Sequence, residues 1–210
     1  MTAEQNKFYD IKNTTDYEVI GDDIDYKVIV DDDKGEVILQ FEESDSHRDW
    51  INNLLFIPWP LRLEYAYKKY KTVWTTLGYA RAYKSTKNKP LLEFCEAIAH
   101  NPEYWSAIRG WSFGSAMAKL AARHLEALGC FYNELTTFGD VKCWLNPFYK
   151  AMGNAHEYVT PNDFVTWQVP FYHRDATCRV GPGFSLREIF KSEYYHTHYE
   201  EYDYTVWEDL

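Results

Sequence analysis

The chain has 210 residues, the length of one domain, and a domain of this size buries enough surface to need no disulfide or metal staple. A formal net charge of -10 and a pI near 5.2 give an acidic surface that repels phosphate backbones and anionic bilayers, which argues against nucleic acid as a partner. Cys95, Cys130, Cys143 and Cys178 have no tight paired spacing, so neither a zinc site nor a disulfide framework is expected and they read as buried thiols.

Residues 1–13 are polar and lack the apolar core of a signal peptide. No apolar run in the chain is long enough to span a bilayer, so a cytoplasmic protein is expected. Residues 1–20 read as a loose or edge segment on a single domain spanning 1–210. Residues 26–30 and 36–41 are β-branched runs on either side of Asp31-Asp-Asp-Lys-Gly35, the pattern of a hairpin. Residues 49–55 read as a short helix capped by Asp49 or Ser46, which Pro58 and Pro60 terminate. The apolar stretch 54–60 fits either an acyl site or lid, or a buried strand. Residues 79–88 and 90–99 read as helices, with Pro90 at a tolerated first-turn position.

Residues 104–108 predict a strand, and 113–128 the clearest helix, with Met117, Leu120, Ala121, His124 and Leu125 on one face and Gly129 as its stop. Strands follow at 131–138 and 156–160. Strands alternating with helices across long connections give an α/β fold with a mainly parallel sheet. Aromatic residues, 18% of the chain, suit a core, an acyl-binding cleft or an interface, and composition does not choose among these.

Between the strand at 104–108 and the helix at 113–128 stands Gly110-Trp111-Ser112-Phe113-Gly114, a G-x-S-x-G pattern. In that setting a serine occupies a sharp strand-to-helix turn with its hydroxyl exposed, and small residues two positions away let the backbones pass closely. The helix behind it aims N–H groups and a positive dipole end at the reacting centre. The bland alternative is a serine that caps a core helix.

Residues 108–122 resemble the nucleophile segment of the class 3 lipases, the fungal-type triacylglycerol lipase family, which usually reads G-H-S-L-G-G-A-x-A. Three further segments resemble that family in the right order. Residues 37–54, with Phe41, Ser44, Asp49-Trp50 and Asn53-Leu54, are similar to its oxyanion strand and helix. Leu135-Thr-Thr-Phe-Gly139 resembles its T-F-G strand end, and Asn162-Asp163-Phe-Val165 with Pro170 resembles the segment of its catalytic aspartate. Gly78-Tyr79 is faintly similar to its H-x-G-F segment, without the histidine.

The resemblance implies an α/β-hydrolase fold and a serine esterase acting on a small-molecule or lipid ester, with no cofactor and no metal. Ser112 would be the nucleophile, Asp163 the acid, and the N–H groups of Phe113 and Ser44 the oxyanion hole, with Gly110, Trp111 and Gly114 shaping the elbow. A triad in the order Ser, Asp, His needs a histidine after Asp163. His173 falls in a structural segment of the family, which leaves His196 and His198. They face the same way in a strand and differ by about 200° in a helix. His196 is slightly favoured, because it comes first and would lie on a loop before a final helix. The H-x-H pair has no companion metal ligands in view. His47, His100, His124 and His156 read as surface or satisfied core imidazoles.

The main departure is Glu42-Glu43, where the family usually has Arg-Gly. A carboxylate about 6 Å from the oxyanion would cost roughly 2.8 kcal/mol at an effective dielectric near 20, about a hundredfold in rate. Trp111 replaces the usual histidine and Ser115 the second glycine. These departures keep open a second reading, a weak or inactive lipase fold used for binding or assembly.

Overall fold

The computed structural model describes residues 1–20, 24–42, 57–65, 69–145, 154–167 and 178–204. Its framework is a seven-stranded sheet in the order β1-β2-β3-β6-β7-β8-β9. The strands are β1 (Glu18–Ile20), β2 (Ile24–Asp31), β3 (Glu36–Phe41), β6 (Trp105–Trp111), β7 (Glu134–Phe138), β8 (Ala155–Val159) and β9 (Cys178–Arg179). β1, β2 and β3 pair antiparallel, and every pairing from β3 to β9 is parallel. The expected hairpin is β2–β3, with residues 32–35 as its turn and Gly35 at φ +64°. Beside the main sheet, β4 (Pro58–Tyr65) and β5 (Lys69–Thr76) form a two-stranded hairpin that the sequence reading did not contain.

Helices cover both faces of the main sheet. On one face lie α2 (Leu77–Ser85), α3 (Lys89–His100) and α4 (Phe113–Leu128). There Leu39, Ile108, Leu135, Met117, Leu120 and Trp144 are all buried, and the β4–β5 hairpin adds Leu61, Leu63 and Val73 to the same core. Each such side chain taken from water contributes about 1.5–3 kcal/mol. The sequence gives α4 one apolar face, but residues 113–125 are buried all round it because the hairpin packs on the side away from the sheet. Its polar members therefore need partners. His124 Nε2–H donates to the Glu64 carbonyl at 2.8 Å, which leaves Nδ1 of the neutral ring to accept from the Tyr83 hydroxyl at 3.0 Å, and burial lowers its pKa. Lys119 pairs with Asp140 at 2.8 Å with neither side chain exposed. Burial opposes that ammonium, yet Asp140 and Glu157 outweigh burial and raise its pKa.

The other face carries α1 (Ala3–Asn13), which corrects the reading of 1–20 as a loose segment. Thr2 and Gln5 close a capping box around its first turn, and Phe8 and Ile11 are fully buried. Phe8 meets Trp111, Phe138 and Tyr199 with ring centroids 5.2–5.6 Å apart. Two aromatic or apolar residues one helical turn apart were enough to dock a mostly polar helix. Only β1, at the sheet margin, matches the edge part of that expectation. Residues 57–60 are exposed, so this part of the apolar stretch is not a buried strand; burial begins at Leu61. The helix expected at 49–55 lies outside the described residues.

Candidate active site

β6 ends at Trp111 and α4 begins at Phe113, which leaves a single residue, Ser112, to turn the chain. Ser112 does so at φ 54° and ψ -121°, a conformation that costs a non-glycine residue on the order of 1–3 kcal/mol. The turn is held by the Ser112 N–H donating to the Phe138 carbonyl at 3.0 Å and by the Ser115 N–H donating to the Ser112 carbonyl at 2.9 Å. Both motif glycines are sites of close approach. A methyl on Gly110 would lie 2.4 Å from the Gly114 carbonyl oxygen, and one on Gly114 2.6 Å from that of Phe41. The end of β3 is thus pressed against the first turn of α4, the helix whose leading N–H groups, Phe113 among them, have no partner within the helix.

Three elements meet at this turn. Asp163 follows β8 at the head of a 3-10 turn (Phe164–Trp167), and His196 comes from α5 (Ser192–Thr197). His196 Nε2 lies 2.7 Å from Ser112 Oγ and Nδ1 lies 2.7 Å from Asp163 Oδ2. With its Nδ1–H directed at the carboxylate, the ring leaves the Nε2 lone pair to accept from the serine hydroxyl. Ser112, His196 and Asp163 are 2%, 3% and 0% exposed, so the two hydrogen bonds lie in a medium where charge interactions are strong.

Further groups fix these three. The Val165 N–H donates to Asp163 Oδ1 at 3.0 Å, and the Tyr199 hydroxyl donates to Oδ2 at 3.0 Å while accepting from the Thr160 N–H at 3.1 Å. Burial and the adjacent Asp163 push the Tyr199 phenol well above its ordinary pKa, so it remains a donor. The Trp111 indole N–H donates to the His196 carbonyl at 3.1 Å. Gly139, at φ +54°, supplies the floor under the imidazole: a methyl there would lie 2.7 Å from His196 Cε1 and 2.9 Å from Nδ1. From the far side α1 reaches the same segment, as Lys12 Nζ donates to the Thr197 carbonyl at 2.8 Å and Gln5 Nε2 to that of Tyr202 at 3.0 Å.

His198 does not join this cluster. His196 lies in the last turn of α5, not on a loop before a final helix, and two helical positions turn the residue after next to the opposite side. His198 stacks on Tyr194, ring centroids 4.2 Å apart, and Nδ1 bonds the Tyr194 carbonyl at 2.9 Å. Ser44 and Glu43 lie outside the described residues, as does His173. No group of three or more His, Cys, Asp or Glu side chains suited to a metal occurs among the described residues. Sequence reasoning missed Tyr199, Gly139 and α1. Tyr199 stands three residues after His196, a spacing that a helical reading of the H-x-H run brings onto one side.

Several aromatic side chains on the segments that lead from Asp163 and up to His196 are exposed. Phe164 is 52% exposed and Phe190 92%, and Trp167 stacks on Phe184 at 5.6 Å with about half of each in solvent. No helix among the described residues is long and apolar enough to cross a membrane.

A family model described as Lipase (class 3) matches residues 38–173. The secreted mono- and diacylglycerol lipases A of Penicillium cyclopium and Penicillium camembertii are each 27% identical over 130 residues, 60% of this chain and 41% of theirs. The aligned part is thus less than half the length of these curated relatives. Lipase II from Rhizopus niveus superimposes with a TM-score of 0.58 at 21% identity, over 74% of this chain and 61% of that one. A fungal lipase–inhibitor complex gives 0.63 at 19% identity, over 85% and 76%. These solved structures share the α/β-hydrolase fold with this chain.

Proposed function

The chain belongs to the class 3 lipase family, and we propose that it hydrolyses a lipid carboxylic ester through an acyl-enzyme on Ser112. The observation that carries this reading is the continuous relay from Ser112 Oγ through His196 to Asp163, with both links at 2.7 Å. A serine that merely capped a helix would have no use for a buried imidazole oriented by a carboxylate. The strained backbone at Ser112 argues the same way.

In this reading His196 Nε2 takes the hydroxyl proton as Ser112 Oγ attacks the ester carbonyl carbon. The carbonyl oxygen becomes an oxyanion that accepts from the Phe113 N–H and, by the sequence resemblance, from that of Ser44. Asp163 stabilises the imidazolium and keeps the productive tautomer. The C–O bond of the ester breaks, and the leaving alcohol takes the proton from Nε2. Water, deprotonated by the same nitrogen, then attacks the acyl-serine and releases the carboxylic acid.

The relatives' names favour an acylglycerol as the ester and a secreted protein over the cytoplasmic one expected from residues 1–13. The exposed Phe164, Trp167, Phe184 and Phe190, on the segments that lead from Asp163 and up to His196, suit an apolar substrate or its aggregate. The test is hydrolysis of a monoacylglycerol and of a short-chain chromogenic ester by wild type and Ser112→Ala. Ser112-dependent release of fatty acid supports the reading. A folded wild type inert on both esters would favour the binding-module alternative that Glu42-Glu43 suggests.

A further inference from the structure

Cys95 sits in the second turn of α3, and Cys130 follows the Gly129 that ends α4, 35 positions later in the chain. The fold brings these two together. Their sulfurs are 3.6 Å apart, and both side chains are half-buried against the edge of the larger core. The other two cysteines, Cys143 and Cys178, are buried at 0% and 7% exposure. The Cys130 N–H is anchored to the Leu125 carbonyl at 2.9 Å, so one end of the pair rests on the helix that presents Ser112.

We propose that Cys95 and Cys130 are a cross-linking site, closed by a low-molecular-weight disulfide into an intramolecular bond that ties α3 to the end of α4. The step is two successive exchanges. The Cys130 thiolate attacks one sulfur of the small disulfide, forming a mixed disulfide and releasing one small thiolate. Cys95 then gives up its proton and attacks the Cys130 sulfur, releasing the second small thiol. The protein dithiol is oxidised by two electrons and the small disulfide is reduced to two thiols. Burial and the neighbouring thiol push the Cys95 thiol up to about 12, which makes the second exchange slow at neutral pH and faster as pH rises.

The closed loop of about 35 residues holds β6, Ser112 and all of α4, and a loop of that length restricts the unfolded chain substantially. In a domain of this size that corresponds to a rise in Tm of about 10 °C. No pairing was legible in the sequence because the two cysteines are distant in the chain, Cys95 within α3 and Cys130 just beyond the end of α4.

The experiment incubates the full chain with oxidised glutathione at pH 8, alkylates the remaining thiols, and maps non-reduced peptides by mass. Melting is measured with and without a phosphine reductant. The expected result is a peptide linking Cys95 to Cys130, alkylation confined to Cys143 and Cys178 after denaturation, and a Tm that falls by about 10 °C on reduction. Cys95→Ser and Cys130→Ala should each lack both the linked peptide and the reductant-sensitive melting. Absence of the linked peptide in wild type, linkage of either residue to another cysteine or another molecule, or a cross-link that leaves Tm unchanged or lower would overturn the proposal. The outcome is independent of the esterase reading, since no step uses Ser112.

Discussion

An alanine at position 139 would place a methyl 2.7 Å from His196 Cε1 and 2.9 Å from its Nδ1. Ordinary carbon contacts begin near 3.4 Å, so the ring or the strand end must yield by roughly 0.7 Å. The imidazole is held on two sides at 2.7 Å, by Ser112 Oγ and Asp163 Oδ2, and a shift of that size along either link takes it to about 3.4 Å, past hydrogen-bond range, while one across them spoils their alignment. Displacement of a catalytic group by about an ångström costs on the order of a hundredfold in rate. The same substitution also forces alanine into φ +54°, at about 1–2 kcal/mol, or about 2–8 °C in Tm. Gly129 separates the two effects. It has φ +77°, caps α4, and a methyl there would meet nothing within 4 Å among the described residues. Gly129→Ala should lose comparable stability and keep its activity; Gly139→Ala should lose about a hundredfold in kcat on a short-chain ester with KM little changed. Equal activities in the two variants, both folded by circular dichroism, would refute the reasoning.

Ser112→Ala and His196→Ala should each remove nearly all ester hydrolysis and the double variant little more, because the members act as a unit, while His198→Ala should keep most of it; activity surviving His196→Ala but not His198→Ala would reverse the assignment of the base. Trp111→Phe keeps the ring and removes the N–H bond to the His196 carbonyl, so kcat should fall by about two- to tenfold, from 0.5–1.5 kcal/mol; an unchanged kcat would mean the bond does not position the histidine. Burial opposes the Glu134 charge, but the Lys7 and Thr136 hydrogen bonds outweigh it and lower the pKa below 4.5. The folded value being the lower one, this carboxylate stabilises the protein above pH 4.5 and ceases to as pH falls through the folded value. Urea unfolding should therefore show wild type more stable than Glu134→Gln at neutral pH and the gap closing in acid; a gap that widens in acid would contradict the sign.

What the sequence made legible follows its local physics. The β2–β3 hairpin, the strand–serine–helix turn and α4 carry strong periodicity and turn residues, and they stand where those signals put them. The parallel order β6, β7, β8 followed from strand–helix alternation. The hairpin β4–β5 was illegible because Pro58 and Pro60 read as breakers, whereas an edge strand tolerates them. α1 was missed because only Phe8 and Ile11 among its residues reach the core, too few for a periodic signal. At the site, Ser112 and Asp163 were marked by motif. His196 was slightly favoured over His198 by its order in the run and by an expected loop; the helix that carries it instead was not legible, because the H-x-H run fits strand and helix alike. Gly139 and Trp111 touch His196 across the fold, through contacts that no spacing in the chain encodes, and Tyr199, which bonds Asp163, was marked only by its three-residue spacing from His196.

The most direct measurement of the central claim is labelling with a fluorophosphonate, which bonds only to a serine whose hydroxyl is activated as a nucleophile. Intact mass and peptide mapping of the treated protein should give one adduct, on Ser112, absent in Ser112→Ala and formed far more slowly in His196→Ala. A folded wild type that takes no label, or takes it on another residue at the same rate in Ser112→Ala, would contradict the account.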